Sequence, residues 1–259
     1  LDCIEQCVEN IGDCDILWYN HKILFENDIP EEKNQMLLGL EHHHITEEQA
    51  RTKNFDMMEL LLGVEKFAWI TGGILNINML NNLRFFPTVH NEDMLFGIPL
   101  FTKAKQIKLL NKQLYIYRIR SYSTCGRDMA KNSPLLAYPP NLTDIAFEFG
   151  NRITYRYYYF DYSSVYVCLG LLDFMQTLQD NALRDRIKLF VIHLADRAFC
   201  SARADKDPRR TRELLKPLRP YMQKVRFTTK IGYYTPWLYR ILKKIKRKLE
   251  HLGIIKEKQ

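Results

Sequence analysis

The sequence lacks the features that mark several common classes of protein. No apolar run approaches the roughly 20 residues that a membrane-spanning helix requires, so no transmembrane segment is predicted. Internal repeats and low-complexity tracts are also missing. The apolar content of 46% and the aromatic content of 12% favour a packed core over a disordered chain. The 259 residues suffice for one large domain or two small ones.

Zinc-site spacing is absent among the cysteines, because no pair shows the C-x-x-C pattern. With no signal-peptide pattern in the sequence, we expect reduced thiols in a cytoplasmic protein. The six cysteines are Cys3, Cys7, Cys14, Cys125, Cys168 and Cys200. The run His42-His43-His44 also makes a poor metal site, since three consecutive side chains cannot face one ion on a regular element. We predict an exposed polar loop there.

Positive charge is concentrated at the end of the chain. Residues 219–259 contain twelve Lys and Arg against Glu250 and Glu257, which exceeds the net charge of +8 of the whole sequence. The remaining residues therefore carry a small negative net charge. This distribution favours one local anionic partner over a broad nucleic-acid groove, and no nucleic-acid partner is predicted.

Hydrophobic periodicity predicts an α/β first half and a mostly helical second half. Strands are predicted at 15–19, 105–110 and 113–120. Helices are predicted at 2–10, from Thr46 onward, at 55–67 and 74–82, from Glu92 to a stop or kink at Pro99, and at 164–178, 181–204, 212–218 and 237–252. A change of character between residues 126 and 140 predicts a domain boundary, with domains at 1–126 and 141–259.

A series of short motifs occupies residues 85–123. The series contains Phe85-Phe86-Pro87, then Glu92-Asp93 with Phe96, then Lys105, then Tyr115-Ile116-Tyr117-Arg118-Ile119-Arg120 and Ser123. In this order and spacing, the series resembles bacterial family 2 glycosyltransferases, which show an E-D-x-x-F helix start, a lysine-containing strand and a Y-x-Y-R-x-R-x-x-S strand. The resemblance covers about residues 1–125, roughly half of the chain.

The resemblance implies a fold and a reaction. The chain would be the C-terminal part of a glycosyltransferase-A type domain, followed by a helical region. The implied reaction is inverting transfer from a nucleotide-sugar donor to a saccharide or lipid-linked acceptor, in surface polysaccharide or lipopolysaccharide synthesis. The nucleotide-binding half and most ligands of the divalent metal, Mn or Mg, would precede Leu1, and this part alone would be inactive. Asp13-Cys14-Asp15 is not the family's D-x-D metal motif, because it begins a strand instead of ending one.

Asp93 is the candidate general base, carried over from the E-D motif. A carboxylate within hydrogen-bond reach of the acceptor hydroxyl can take its proton as the oxygen attacks the anomeric carbon. Glu92 would orient the acceptor or the base. Both residues are expected in the first turn of a helix, where the helix dipole favours the ionised form. The alternative is that both carboxylates are only N-terminal helix charges.

Donor and acceptor contacts are predicted at five further residues. Arg118, Arg120 and Ser123 would bind the diphosphate, since arginines two apart on a strand share a face and grip phosphate with a planar fork. The alternative is a solvated strand edge. Trp69, with Gly72 and Gly73, would form a stacking platform for the acceptor sugar, or would pack in the core. His90 would contact the acceptor.

The last predicted helix, 237–252, combines aliphatic residues at helical spacing with basic residues and aromatic residues at one end. This pattern is typical of a helix that lies on an anionic membrane surface, and we expect peripheral association with the inner membrane. One alternative is a surface helix whose apolar face packs on its own domain. The main alternative to a transferase is a non-catalytic basic adaptor that binds membranes or partners.

Overall fold

The computed structural model describes residues 2–25, 43–62, 64–65, 67, 72–119, 142–150 and 152–253. The chain divides into two compact units. The first contains Leu1–Pro87 and Asn91–Tyr138, and the second contains Thr88–His90 and Pro139–Gln259. The predicted boundary at residues 126–140 lies outside the described residues.

The first unit is mixed α/β, which confirms the coarse fold class. Its elements in chain order are α1 (Cys3–Ile11), β1 (Ile16–Phe25), α2 (Glu47–Thr52), α3 (Met57–Leu61), β2 (Gly73–Leu75), a 3-10 helix (Ile77–Leu80), α4 (Glu92–Lys103) and β3 (Ile107–Ile119). The three strands form a sheet in the order β2-β1-β3, in which β1 pairs antiparallel with β2 and parallel with β3. A relationship to the glycosyltransferase-A fold stays a prediction.

Two strands predicted around Asn111-Lys112 are one continuous strand, β3. The pairing with β1 moves from Leu110 opposite Tyr19 to Gln113 opposite Asn20, so the ladder takes up the two extra residues as an irregularity. The predicted helix at 74–82 is also different. Its start forms β2, and only a 3-10 turn follows, capped by the Asn76 side chain.

Aromatic side chains fill the core of the first unit. The Trp18 and Phe67 rings lie 5.9 Å apart, and each meets Phe101 at just over 5 Å. Phe101 belongs to α4, which is buried from Phe96 to Phe101 and continues through Pro99 to Lys103 instead of ending at the proline. The predicted helix at 55–67 shrinks to α3, which begins with a capping box at Asp56. α4 is therefore a firmly anchored helix.

The second unit is built from helices, as predicted. They are α5 (Thr143–Phe149), α6 (Arg152–Thr177), α7 (Asn181–Cys200), α8 (Thr211–Leu214), α9 (Phe227–Tyr234) and α10 (Pro236–His251), with 3-10 turns at Ser201–Arg203 and Lys216–Tyr221. α6 begins a dozen residues earlier than the predicted helix, because the tyrosine-rich segment is helical. Its Tyr158 and Tyr162 are buried against Leu142 and Ile145. The positive φ of Gly253 follows α10, as expected of a helix-ending glycine.

Asp207 ties the loop before α8 to α6. Its Oδ1 accepts hydrogen bonds from the Tyr158 hydroxyl at 2.7 Å and from the Thr211 hydroxyl and N–H at 2.8 and 2.9 Å. Its Oδ2 accepts from the Arg212 N–H at 3.2 Å. Thr211 is fully buried. One carboxylate thus satisfies four donors that would otherwise lose their partners.

Asp207→Asn is expected to lower the free energy of unfolding by about 1–2 kcal/mol, because the amide cannot accept on both sides and turns a donor toward one of these N–H groups. Urea denaturation measures the loss. The matched control is Asp205→Asn, whose carboxylate is 65% exposed and pairs only at 3.3 Å with Lys243. That change should stay within about 0.5 kcal/mol, and an equal effect of the two would contradict the structural role of Asp207.

None of the helices in the described part of the chain combines the length and the apolar composition that crossing a bilayer requires. The five described cysteines are free thiols, and Cys125 lies outside the described residues.

Candidate functional site

The acidic pair begins α4, as the motif predicted. Asn91 occupies the N-cap position in the left-handed region, at φ 63°, and its side chain makes no capping hydrogen bond. Thr88 has φ 73° and Asn82 has φ 62°. A positive φ is costly for a β-branched residue such as Thr88. Strained backbone of this kind concentrates at functional sites. The strained residues before α4 are therefore consistent with a functional site at the start of this helix.

Burial and, to a smaller extent, the neighbouring Glu92 carboxylate raise the pKa of the Asp93 carboxyl to about 6, although the N–H groups of Met94 and Asp93 act in the opposite direction. The Met94 N–H donates to Asp93 Oδ1 at 3.0 Å. The helix start was expected to favour the ionised form, but the net shift of the Asp93 pKa is upward. Loss of water around the carboxylate outweighs the favourable N–H groups.

A pKa near 6 suits a general base. At neutral pH the carboxylate is mostly ionised, yet it holds a proton more readily than an ordinary aspartate does. Glu92 lies beside it and repels the second negative charge, which tunes the same group. Such a shift in a partly buried carboxyl is a statistical marker of functional sites.

His90 lies in the second unit. Its backbone N–H donates to Ser163 Oγ at 2.9 Å, and its ring meets the Phe160 ring edge-on at 4.2 Å. Burial, with a smaller contribution from the Arg197 and Arg156 cations, lowers the pKa of His90 to about 4. The imidazole is therefore neutral at physiological pH. A neutral ring offers one donor and one acceptor nitrogen, which suits the predicted contact with a sugar hydroxyl.

The predicted diphosphate group is only partly described. Arg118 is an exposed residue near the end of β3, paired in register with Leu24 of β1. Arg120 and Ser123 lie outside the described residues, and so does Trp69. The grouping of these side chains with Asp93 stays a prediction.

The structure explains the glycine at position 73 by sheet packing, which the prediction of a sugar platform did not consider. A Cβ on Gly73 would stand 2.4 Å from the Leu17 carbonyl oxygen, so β2 can approach β1 only with glycine here. A Cβ on Gly72 would meet Tyr19 at 3.3 Å. The two glycines therefore serve sheet packing.

Asp15 of the Asp13-Cys14-Asp15 run has a structural role. Asp15 Oδ2 accepts the Lys105 N–H at 2.7 Å and the Gln106 N–H at 3.3 Å, which joins the starts of β1 and β3. Among the described residues, no group of three or more His, Cys, Asp or Glu could hold a metal ion. The rejection of Asp13-Cys14-Asp15 as a metal motif is consistent with this role.

The polar-loop prediction is wrong for His43, and His42 lies outside the described residues. The His43 side chain is buried, with Nδ1 at 2.7 Å from the Leu60 carbonyl oxygen and the ring 5.3 Å from Trp18. Packing against aromatic rings accounts for the burial. His44 has φ 55° and is exposed.

Sequence reasoning missed His21 of β1. It is 6% exposed, lies 5.5 Å from the Tyr117 ring, and has a buried Nε2 without a hydrogen-bond partner. Burial lowers its pKa. The only available signal was its alternation with Tyr19 and Ile23 along the strand, which is too weak to single out one histidine.

Comparison with protein-family models, with curated proteins and with solved structures finds no match to this chain. The family resemblance therefore rests on the motifs themselves.

Proposed function

We propose that the chain is the acceptor-side part of an inverting glycosyltransferase that uses nucleotide-sugar donors, with Asp93 as the general base. The observation that carries the proposal is the Asp93 carboxyl, partly buried at the start of an anchored helix, with its pKa raised to about 6. The strained residues before it and the motif series from Phe85 to Ser123 support the same conclusion. The acceptor would be a saccharide or lipid-linked sugar of the cell surface.

In the proposed reaction, Asp93 removes the proton of an acceptor hydroxyl as its oxygen bonds to the anomeric carbon of the donor. The bond from that carbon to the diphosphate breaks on the opposite face, which inverts the configuration. Arg118 and Arg120 would stabilise the negative charge that grows on the departing diphosphate. A divalent metal, Mn or Mg, would neutralise the same charge; among the described residues, no group of three or more His, Cys, Asp or Glu could hold it.

A non-catalytic adaptor is the second candidate. The exposed apolar face of α10 favours it, since such a face serves binding and not catalysis. An adaptor has no use for a tuned carboxylate, so assays of Asp93 separate the two candidates.

Release of nucleoside diphosphate from a panel of UDP- and GDP-sugars, with lipid-linked saccharide acceptors, tests the proposal on the protein encoded by the complete gene. We expect donor-dependent release that requires an acceptor. Absence of transfer with every donor and acceptor, together with no binding of UDP or GDP, would contradict the proposal.

The pH dependence of kcat/KM should report the Asp93 pKa. Only the ionised carboxylate accepts a proton, so activity is present above pH about 6 and falls tenfold per pH unit below it. Initial rates across a pH series measure this limb. Glu92→Gln should move the midpoint to lower pH, because it removes the neighbouring charge that raises the Asp93 pKa. The matched control Glu48→Gln, on exposed α2, should leave the midpoint unchanged; a common shift in both variants would refute the assignment.

A further inference from the structure

The last helix, α10, turns an apolar face to solvent. None of its residues is buried, although its aliphatic side chains recur at helical spacing. The exposed apolar residues are Trp237, Ile241, Leu242 and Ile245 of the helix and Leu252 directly after it, at 63%, 48%, 43%, 50% and 59% exposure. Leu238 and Leu249 of the same spacing are half-buried, so the unit covers this face only in part. A water-facing apolar stripe of this kind indicates a binding surface.

Polar residues attach α10 to the second unit. The Arg203 Nε donates to the Tyr239 hydroxyl at 2.8 Å, and the guanidinium also stands 5.1 Å above the Tyr239 ring. One turn later, Lys243 pairs with Asp205 at 3.3 Å. At about 100° per residue, Tyr239 and Lys243 lie on roughly the opposite side of the helix from Ile241 and Ile245. The helix thus rests on its polar side and presents its apolar side outward.

Basic residues flank the exposed stripe. Arg240, Lys244, Arg247 and Lys248 are all exposed and fall along one edge of the apolar arc. Glu250, an acidic residue of the helix, pairs with Lys246 at 3.2 Å and lies away from this edge. The edge is therefore strongly positive along the whole length of the helix.

From this geometry we propose that α10 lies flat on an anionic lipid surface, with its apolar face in the acyl boundary and its basic edge on the headgroup phosphates. A helix of this kind binds through both the buried apolar area and the attraction of its cations to anionic lipids. Trp237 and the 57%-exposed Tyr234 stand at the junction of α9 and α10, where amphipathic rings suit the membrane interface.

The charge of α10 favours an anionic lipid surface over a second copy of the helix or a nucleic acid. A second copy of the same helix would bring two rows of cations together, which costs free energy. A nucleic acid would satisfy the cations but would leave the apolar stripe in water. An anionic bilayer satisfies both surfaces at once. The inference does not depend on the transferase proposal, because it concerns a separate surface with its own readout.

Sedimentation with vesicles tests the surface on the full chain. Phosphatidylcholine vesicles containing about one third phosphatidylglycerol should bind the protein, and vesicles of phosphatidylcholine alone should bind it much less. Raising the salt should weaken binding to the anionic vesicles. Equal binding to both vesicle types would contradict the proposal.

Two sets of variants separate the apolar and the basic contributions. Ile241→Gln with Ile245→Gln should reduce binding at least tenfold, whereas Leu189→Gln, at a 43%-exposed position of α7, should not. Lys244→Gln, Arg247→Gln and Lys248→Gln together should reduce binding by roughly tenfold to a hundredfold at low salt. The control for that triple variant removes equal charge at the exposed residues Lys188, Lys216 and Lys224.

Because none of these side chains is buried, thermal unfolding of every variant should match that of the unchanged protein. Light scattering without vesicles completes the test. If the mass in solution is lower for the Ile241→Gln, Ile245→Gln variant than for the unchanged protein, while vesicle binding is unaltered, the apolar face binds a second copy of the chain. That outcome would overturn the lipid proposal. Control variants that reduce vesicle binding as much as the α10 variants do would also overturn it.

Discussion

Asp93→Asn is expected to lower turnover by about 10²–10⁴-fold, the usual contribution of a positioned general base. Asparagine keeps the size and the acceptor oxygen that the Met94 N–H contacts, but it cannot take a proton at neutral pH. Nucleoside-diphosphate release at saturating acceptor measures the change. KM for the donor should change little, since the carboxylate acts on the acceptor side of the proposed reaction.

The same variant should not lose stability. A carboxyl with a raised pKa in the folded state binds its proton more tightly there than in the unfolded chain. Its ionised form therefore destabilises the fold above pH about 6, and this cost decreases as the pH falls from about 6 toward the ordinary pKa of 3.8. Asparagine removes the buried charge and its repulsion by Glu92, so the Asp93→Asn protein should unfold at the same or a higher temperature at pH 7.5. Loss of activity without loss of stability separates catalysis from packing.

Asp185→Asn, on the exposed surface of α7, makes the same chemical change away from the site and should leave turnover unaltered. Equal turnover by the Asp93→Asn and unchanged proteins would remove Asp93 from the base role and favour the adaptor. A lower unfolding temperature of Asp93→Asn would instead assign the carboxylate a structural role.

Short-range sequence patterns predicted the helix ends that are determined by residues close in sequence. Thr46 caps α2 with a complete capping box, Gly12 ends α1 at φ 52°, and α10 begins at Pro236. Each of these features depends on residues within one or two helical turns. The placement of Glu92 and Asp93 at a helix start was available from the motif for the same reason.

Long-range packing accounts for the features of the structure that the sequence did not predict. The burial that raises the pKa of Asp93 depends on how α4 is anchored, and no motif expresses it. Which face of α10 points to solvent depends on the contacts of Tyr239 and Lys243 with Arg203 and Asp205, which lie more than thirty residues earlier in the chain. The burial of His43 depends on Trp18. Periodicity identifies an apolar face, but only tertiary contacts decide whether that face is covered.

Gly73→Ala is expected to cost about 3–5 kcal/mol of the free energy of unfolding of the first unit, because the added Cβ meets backbone that cannot yield. Gly73 pairs with Trp18 across the antiparallel ladder, and its Cβ would stand 2.4 Å from the Leu17 carbonyl oxygen. Leu17 is fully buried in the central strand β1, which pairs on its other side with β3. Moving it would strain both ladders, whereas a flexible side chain could simply turn aside.

Urea denaturation, with hydrogen exchange at β1 amides as a local probe, measures the loss of stability. The control is Gly150→Ala, where no atom lies within 4 Å of the added Cβ but φ is 63°. That variant should lose only about 1–2 kcal/mol, the cost of a left-handed conformation for alanine. If Gly73→Ala costs no more than Gly150→Ala, the close approach of β2 to β1 is not tight, and the glycine pair becomes available again for the acceptor platform. A loss confined to Gly73→Ala, with faster exchange at Leu17 and Trp18, would establish sheet closure as the reason for glycine there.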